Sequence, residues 1–177
     1  MLQIKENKRK VLELFFDNPT EQFHLRQISR KTGIAVTSVR IYLDEFLKKK
    51  VIIKISKGIY PSFLANRDAD DSKFKFYKKL NLLDRLDGSG LLDYIEDNCM
   101  PNSIILFGSA SLGEDIEHSD IDLFVESNEK KLNLDKFERE LNRKINLFFE
   151  KNFSKLNKEL KNNILNGVKL RGYLKIF

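Results

Sequence analysis

The chain has 177 residues, 41% of them hydrophobic and 33% charged, with one cysteine and a formal net charge of +6. This composition excludes a disordered or fibrous protein, and a lone Cys99 excludes an internal disulfide or a cysteine-cluster metal site. No apolar run approaches the roughly 20 residues of a membrane span. The excess charge is confined to one part: residues 1–70 hold 14 Lys+Arg against 8 Asp+Glu, whereas residues 71–177 hold 18 of each. Such asymmetry suggests a nucleic-acid-facing module joined to a neutral one. The opening MLQIKENKRK is charged where a signal peptide would be apolar, which leads to the expectation of a cytoplasmic protein. His24 and His118 are far apart in sequence and lack metal-ligand spacing.

In chain order, KENKRKVLELFFD (5–17) reads as an amphipathic helix with Val11, Leu14 and Phe15 on one side, stopped by Asn18-Pro19. A second helix runs through Leu25 and Ile28 and breaks at Thr32-Gly33. A third extends from about Val36 to Lys49, with Val39, Leu43, Phe46 and Leu47 at the spacing of a buried face. Ala35 stands where a serine or threonine cap is usual. The strand-like runs VIIKI (51–55) and GIYPSFL (58–64), joined by Ser56-Lys57-Gly58, signal a hairpin.

Helix, helix, glycine-bearing turn, helix and hairpin form the order of a winged helix-turn-helix. Phe23 to Asn66 resembles the winged-helix modules of prokaryotic transcription regulators. The resemblance implies that the third helix enters the major groove of double-stranded DNA. Its exposed residues Thr37, Ser38, Arg40 and Ile41 would reach base edges, with Lys54 and Lys57 near phosphates. Asp44 and Glu45 lie on the same helix, where an acid facing phosphate is unfavourable.

After a polar stretch at 66–71, KFKFYKKLNLLDRL (73–86) reads as a helix with Phe76, Leu80 and Leu83 as its stripe, broken at Asp87-Gly88-Ser89-Gly90. GLLDYIEDN gives another helix up to Met100-Pro101. From Asn102 the pattern alternates: strand SIILF (103–107), a short helix and loop, strand DIDLFVE (120–126), helix LDKFERELNRK (134–144), strand INLFFE (145–150) and helix SKLNKELKNNILNG (154–167). The expected fold class is α/β (α+β). The winged helix would occupy 1–66, a helical linker 67–101, and a small mixed-sheet domain 102–177.

Strand residues two apart share a face, so Asp120 and Asp122 project together about 7 Å apart. Two carboxylates so placed repel each other unless they share divalent cations. Gly108 lets the backbone approach a triphosphate, and Ser109 offers a hydroxyl and an N–H to a phosphate. A Gly-Ser after an apolar strand, with Ser-Asp-x-Asp opening the next strand, resembles the DNA polymerase β-like nucleotidyltransferase superfamily. The likeness is greatest to its minimal branch of antibiotic nucleotidyltransferases and small antitoxin nucleotidyltransferases. The matching residues are Gly108, Ser109, Gly113, Ser119, Asp120 and Asp122. The whole chain resembles prokaryotic, in particular archaeal, winged-helix–nucleotidyltransferase fusions.

The resemblance implies catalytic, metal-binding roles for Asp120 and Asp122 with Mg2+ or Mn2+. Gly108, Ser109 and Ser119 would contact a nucleoside triphosphate substrate, and a hydroxyl would attack its α-phosphate. Two departures stand out. Asn146 occupies the place of the family's usual third carboxylate, with Glu150 further along the same strand as an alternative, and Leu112 replaces a common basic residue before Gly113. Asparagine cannot take a proton. Three functions follow: nucleotidyl transfer coupled to DNA or partner binding, transcription regulation through a module that only binds nucleotide, and an antitoxin-like protein acting on a partner. A protein partner or a homodimer stays open; no membrane association is expected.

Overall fold

The computed structural model describes residues 6–69 and 72–176 and divides into two units, Met1–Lys78 and Lys79–Phe177. The α/β class expected from the sequence holds: among the described residues there are eight α-helices and two sheets. No helix among them is long and apolar enough to cross a membrane.

In the first unit, α1 (Glu6–Asp17) buries Val11, Leu12, Phe15 and Phe16. It stops where the Asn18 side chain donates back to the Leu14 carbonyl at 2.9 Å, one residue before a proline. Strand β1 (Phe23–His24) leads directly into α2 (Leu25–Thr32). Helix α2 ends at Gly33, whose φ of +70° is the left-handed cap that glycine adopts without penalty. Helix α3 (Val36–Lys48) begins at Ala35 with no side-chain cap and buries Val39, Leu43 and Phe46. Strands β2 (Ile52–Ile55) and β3 (Ser62–Ala65) pair antiparallel, from Ile52↔Ala65 to Ile55↔Ser62.

Two expectations change here. The second hairpin strand starts at Ser62, later than residue 58, and the connection runs through Pro61. Proline cannot donate to a ladder, and Gly58 sits at φ +105°. The sheet also gains β1, giving the order β1-β3-β2. Phe15 and Phe23 meet edge-to-face at 5.6 Å in the core beneath.

Helix α4 (Phe74–Gly88) crosses the boundary between the units. Its buried positions are Phe74, Lys78, Leu82 and Leu86, four residues apart, whereas Phe76 is 56% exposed. Of the expected stripe of Phe76, Leu80 and Leu83, Leu83 packs against the second core, Leu80 is half-buried and Phe76 is exposed. The helix carries two overlapping apolar sets, and spacing alone does not choose between them.

The second unit continues with α5 (Leu91–Cys99), β4 (Ser103–Phe107), α6 (Gly108–Leu112), β5 (Ile121–Val125), α7 (Asp135–Leu141) and β6 (Ile145–Phe149). A 3-10 turn at Phe153–Lys155, α8 (Lys158–Leu165) and β7 (Val168–Gly172) complete it. The single helix expected over 154–167 is thus two pieces. The Asn157 side chain accepts from the Leu160 N–H at 2.8 Å and restarts the helix as its cap. Strand β7 pairs antiparallel with β4, β4 antiparallel with β5, and β5 parallel with β6, in the order β6-β5-β4-β7.

One sheet face packs Ile104, Leu106, Leu123 and Val125 against Leu86, Leu91, Ile95, Phe137 and Leu141. The opposite face packs Ile105 and Phe124 against Phe153, Leu156 and Ile164. Arg171 on β7 pairs with Asp87 at 2.9 Å, with Asp93 and Glu96 at 3.5 and 3.4 Å. These acids, Asp87 foremost, hold its guanidinium above the usual arginine range. Cys99 is free and half-buried, and burial pushes its thiol up.

Candidate active site

The site forms where β4 ends and β5 begins. Gly108 leaves β4 at φ +70° and turns the chain into α6. Antiparallel pairing sets Phe107 against Asp122, and parallel pairing sets Asp122 beside Asn146. Ile121 and Leu123 are buried on the other face, so alternation directs Asp122 away from that core. A Cβ on Gly108 would stand 2.8 Å from Asp122 Oδ2. Glycine at 108 is therefore favoured twice, by its dihedral and by the carboxylate beside it.

Asp120, exposed, immediately precedes β5, and Asp122 is half-buried within it. One side chain joins them: Asn146 Nδ2 donates to Asp120 Oδ2 at 3.1 Å and to Asp122 Oδ1 at 3.0 Å. Glu150 lies near the far end of the strands, where its backbone N–H donates to the Val125 carbonyl at 3.4 Å and its Oε1 accepts from the Asn152 N–H at 2.9 Å. Four residues of strand, about 13 Å, separate it from Asn146.

Ser109 is exposed in the first turn of α6, and its carbonyl accepts from the Glu114 N–H at 2.9 Å. Gly113 caps α6 at φ +72°. Ser119 is occupied locally: its hydroxyl accepts from the Ile116 N–H at 3.0 Å, and its own N–H donates to the Ile116 carbonyl at 3.1 Å. Asp120, Asp122, Asn146 and Gly108 are brought together, while Ser119 shapes the loop that delivers Asp120.

Sequence reasoning missed Arg143, which precedes β6. Its Nε donates to the Ser119 carbonyl at 2.8 Å, its Nη2 to the Asp120 carbonyl at 2.9 Å, and its Nη1 to Asp115 Oδ2 at 2.8 Å. Asp115 is only 4% exposed. The loop held this way includes His118 at φ +65°, an uncommon conformation for a residue with a side chain. No local pattern marks Arg143, because its three acceptors lie between 23 and 28 residues away in sequence.

Next to it, Lys144 Nζ donates to Glu138 Oε2 at 2.6 Å, and Glu138 Oε1 accepts from the Ile145 N–H at 3.1 Å. The Lys144 bond, then that N–H, hold the Glu138 carboxyl below the usual range. Glu138 in turn raises Lys144, with Asp120 adding a smaller share.

The donor set suits an oxygen-seeking divalent ion. Two carboxylates close enough to share one amide nitrogen, beside a residue without a side chain, leave the other ligand positions to water and phosphate, as Mg2+ prefers. It does not make an all-protein cage: among the described residues no cluster of three or more His, Cys, Asp or Glu could hold a metal.

In the first unit, Thr37, Arg40, Ile41, Lys54 and Lys57 are exposed and Ser38 is half-buried. Glu45 is turned to an ion pair with Lys8, which lowers its carboxyl and leaves Asp44 as the exposed acid of α3.

Neither the curated proteins nor the solved structures contain a match to this chain. Residues 90–170, from the start of α5 into β7, match the family described as nucleotidyltransferase domain, so the segment that carries the paired aspartates is similar to enzymes that transfer nucleoside monophosphates.

Proposed function

We propose that the C-terminal unit transfers a nucleoside monophosphate from a nucleoside triphosphate to an acceptor hydroxyl in the presence of Mg2+ or Mn2+. The N-terminal unit is in this reading a winged helix that binds double-stranded DNA. The observation that carries the first part is the convergence of Asp120 and Asp122 beside Gly108, inside the segment that matches the nucleotidyltransferase family.

In this reaction the acceptor oxygen forms a bond to the α-phosphorus, the bond to the pyrophosphate oxygen breaks, and pyrophosphate leaves. Asp120 and Asp122 hold the divalent cation, which when bound neutralises charge on the phosphates. Gly108 admits the phosphate chain close to the backbone, and Ser109 offers it a donor. Arg143 fixes the backbone of Asp120. Asn146 cannot accept the acceptor's proton, so the proton passes to solvent or to a base supplied with the acceptor.

The test is transfer of label from α-labelled nucleoside triphosphate, first to the chain itself and then to candidate acceptors. Metal-dependent labelling that disappears in Asp122→Ala is expected. A second reading is favoured by Asn146 at the register place beside Asp122: a regulator, or an antitoxin-like protein, whose module binds nucleotide without transferring it. Metal-dependent nucleotide binding with no label transfer to any acceptor, in a protein that binds duplex DNA or retains a protein partner, selects that reading.

For the first unit, support comes from the exposure of Arg40, Lys54 and Lys57 and from the engagement of Glu45 by Lys8. Duplex binding that weakens steeply with salt is the expected result.

A further inference from the structure

Asp120 and Asp122 place two negative charges close together; Lys144 lies near Asp120, but the group that bonds to both carboxylates is a neutral one. The Asn146 amide nitrogen carries two hydrogens, and one goes to each carboxylate, at 3.1 and 3.0 Å. The reverse orientation of the amide would set its oxygen against two anions, so chemistry fixes which end faces them. Strand pairing fixes the rest. Asn146 lies beside Asp122 in the parallel register of β5 and β6, which brings its short side chain within reach of both carboxylates. On the other flank, Gly108 leaves no room for a side chain against Asp122 Oδ2. The amide nitrogen therefore engages one oxygen of each carboxylate, oxygens that a shared divalent cation would draw on.

We propose that Asn146 is a latch on the carboxylate pair: it holds Asp120 and Asp122 converged without metal, and a cation must displace it to bind. This inference rests on the reading of the site as a metal–nucleotide site and adds what controls entry to it. A latch and a ligand have opposite signatures. A residue that lends an oxygen to the metal strengthens binding, so its removal weakens binding. A residue whose N–H groups compete for the same oxygens weakens binding, so its removal strengthens it. Hydrogen bonds to a charged acceptor are stronger than neutral ones, and the competition is large enough to measure.

The experiment titrates Mn2+ alone, without nucleotide, into the full-length chain, following free Mn2+ by its electron paramagnetic resonance signal. Asn146→Ala is expected to bind Mn2+ about tenfold more tightly than wild type, because no bond to an amide has to be broken. Asn146→Asp should bind more tightly still, since it adds an anionic ligand. Without metal, Asn146→Ala should melt below wild type, because the two carboxylates lose the donor that bridges them. Asn146→Val, whose branched side chain suits a strand, guards against a folding defect and should show the same tightening.

Unchanged or weaker Mn2+ binding in both Asn146→Ala and Asn146→Val overturns the latch and leaves the metal–nucleotide reading standing. Absence of Mn2+ binding in every variant, Asn146→Asp included, overturns both. Persistence of the wild-type Mn2+ signal in Asp122→Ala also overturns the latch, since the bound ion would then lie elsewhere.

Discussion

Gly108 and Asp122 constrain each other. Alanine at 108 would carry a Cβ into the Asp122 carboxylate and hold a left-handed dihedral that side chains resist. Gly108→Ala should therefore cost about 1–2 kcal/mol in stability from the backbone alone. It should also weaken metal-dependent nucleotide binding, seen as a smaller rise in melting temperature when Mg2+ and ATP are added together. Asp122→Ala should remove that rise altogether while the protein stays folded; a rise of equal size with and without Mg2+ in wild type would show that the carboxylates do not act through a cation.

A third carboxylate, Glu126, has a different task. It is 6% exposed and accepts from the Ser103 hydroxyl at 3.1 Å. Burial raises its pKa above 4.5, with the Ser103 bond opposing in part. Between the unfolded and folded values the native chain holds a proton that the unfolded chain has lost. Stability from this group is thus complete below the unfolded value and is lost as pH rises through the folded one. Glu126→Gln keeps a hydrogen-bond partner for Ser103 and removes the titration. Its melting temperature should exceed wild type at neutral pH, and the gain should shrink toward zero in acid.

Among the elements, the loop from Asp115 to Asp120 is tied to the start of β6 by Arg143. Arg143 reaches two carbonyls and a carboxylate buried to 4% exposure, and its own side chain is 13% exposed. Breaking such a pair leaves a charge without compensation, so Arg143→Met should lose about 3–5 kcal/mol. Amide exchange should quicken across 115–120 ahead of the rest of the unit. Arg143→Lys should recover only part, because an ammonium cannot span three acceptors set out for a planar fork. A loop whose exchange is unchanged in Arg143→Met would deny the arginine this role.

The same elements show what could be read from the chain. Strands β4, β5 and β6 announce themselves as short apolar runs; alternation pairs Asp120 with Asp122, whereas Asn146 is reached through the family resemblance and its place beside Asp122 is set by the register of β5 and β6. Strand β1 is two residues long, and β7, VKLRG, has too few apolar residues to signal; each exists because a distant strand offers hydrogen bonds. Helix α4 is legible as a helix, and its buried face only in part. The short loop structure around Ser119 and the grip of Arg143 are not legible, since both depend on interactions made only after the sheet has formed.

At the scale of the whole molecule, the two units divide the charge. Arg40, Lys54 and Lys57 are exposed in the basic unit. Changing all three to alanine in the full-length chain should flatten the dependence of log affinity for duplex DNA on log salt by about 3, close to one for each phosphate left without its cation. A slope unaltered by the triple change would place any DNA-binding surface elsewhere. The second unit, with 15 Lys+Arg against 17 Asp+Glu, is slightly acidic and holds its site on the central strands of a four-stranded sheet. Strand β4, which delivers Gly108, is flanked by β5, next in the sheet's chain order, and by β7, the last of its strands. During synthesis β5 and β6 therefore emerge well before β7 can dock, and for that interval β4 has one bare edge of unpaired amides and carbonyls. Such an edge templates pairing with other nascent chains. Crowding on a polysome is then a circumstance in which this unit would be exposed to misassembly. Slowing translation after β6 would lengthen that interval.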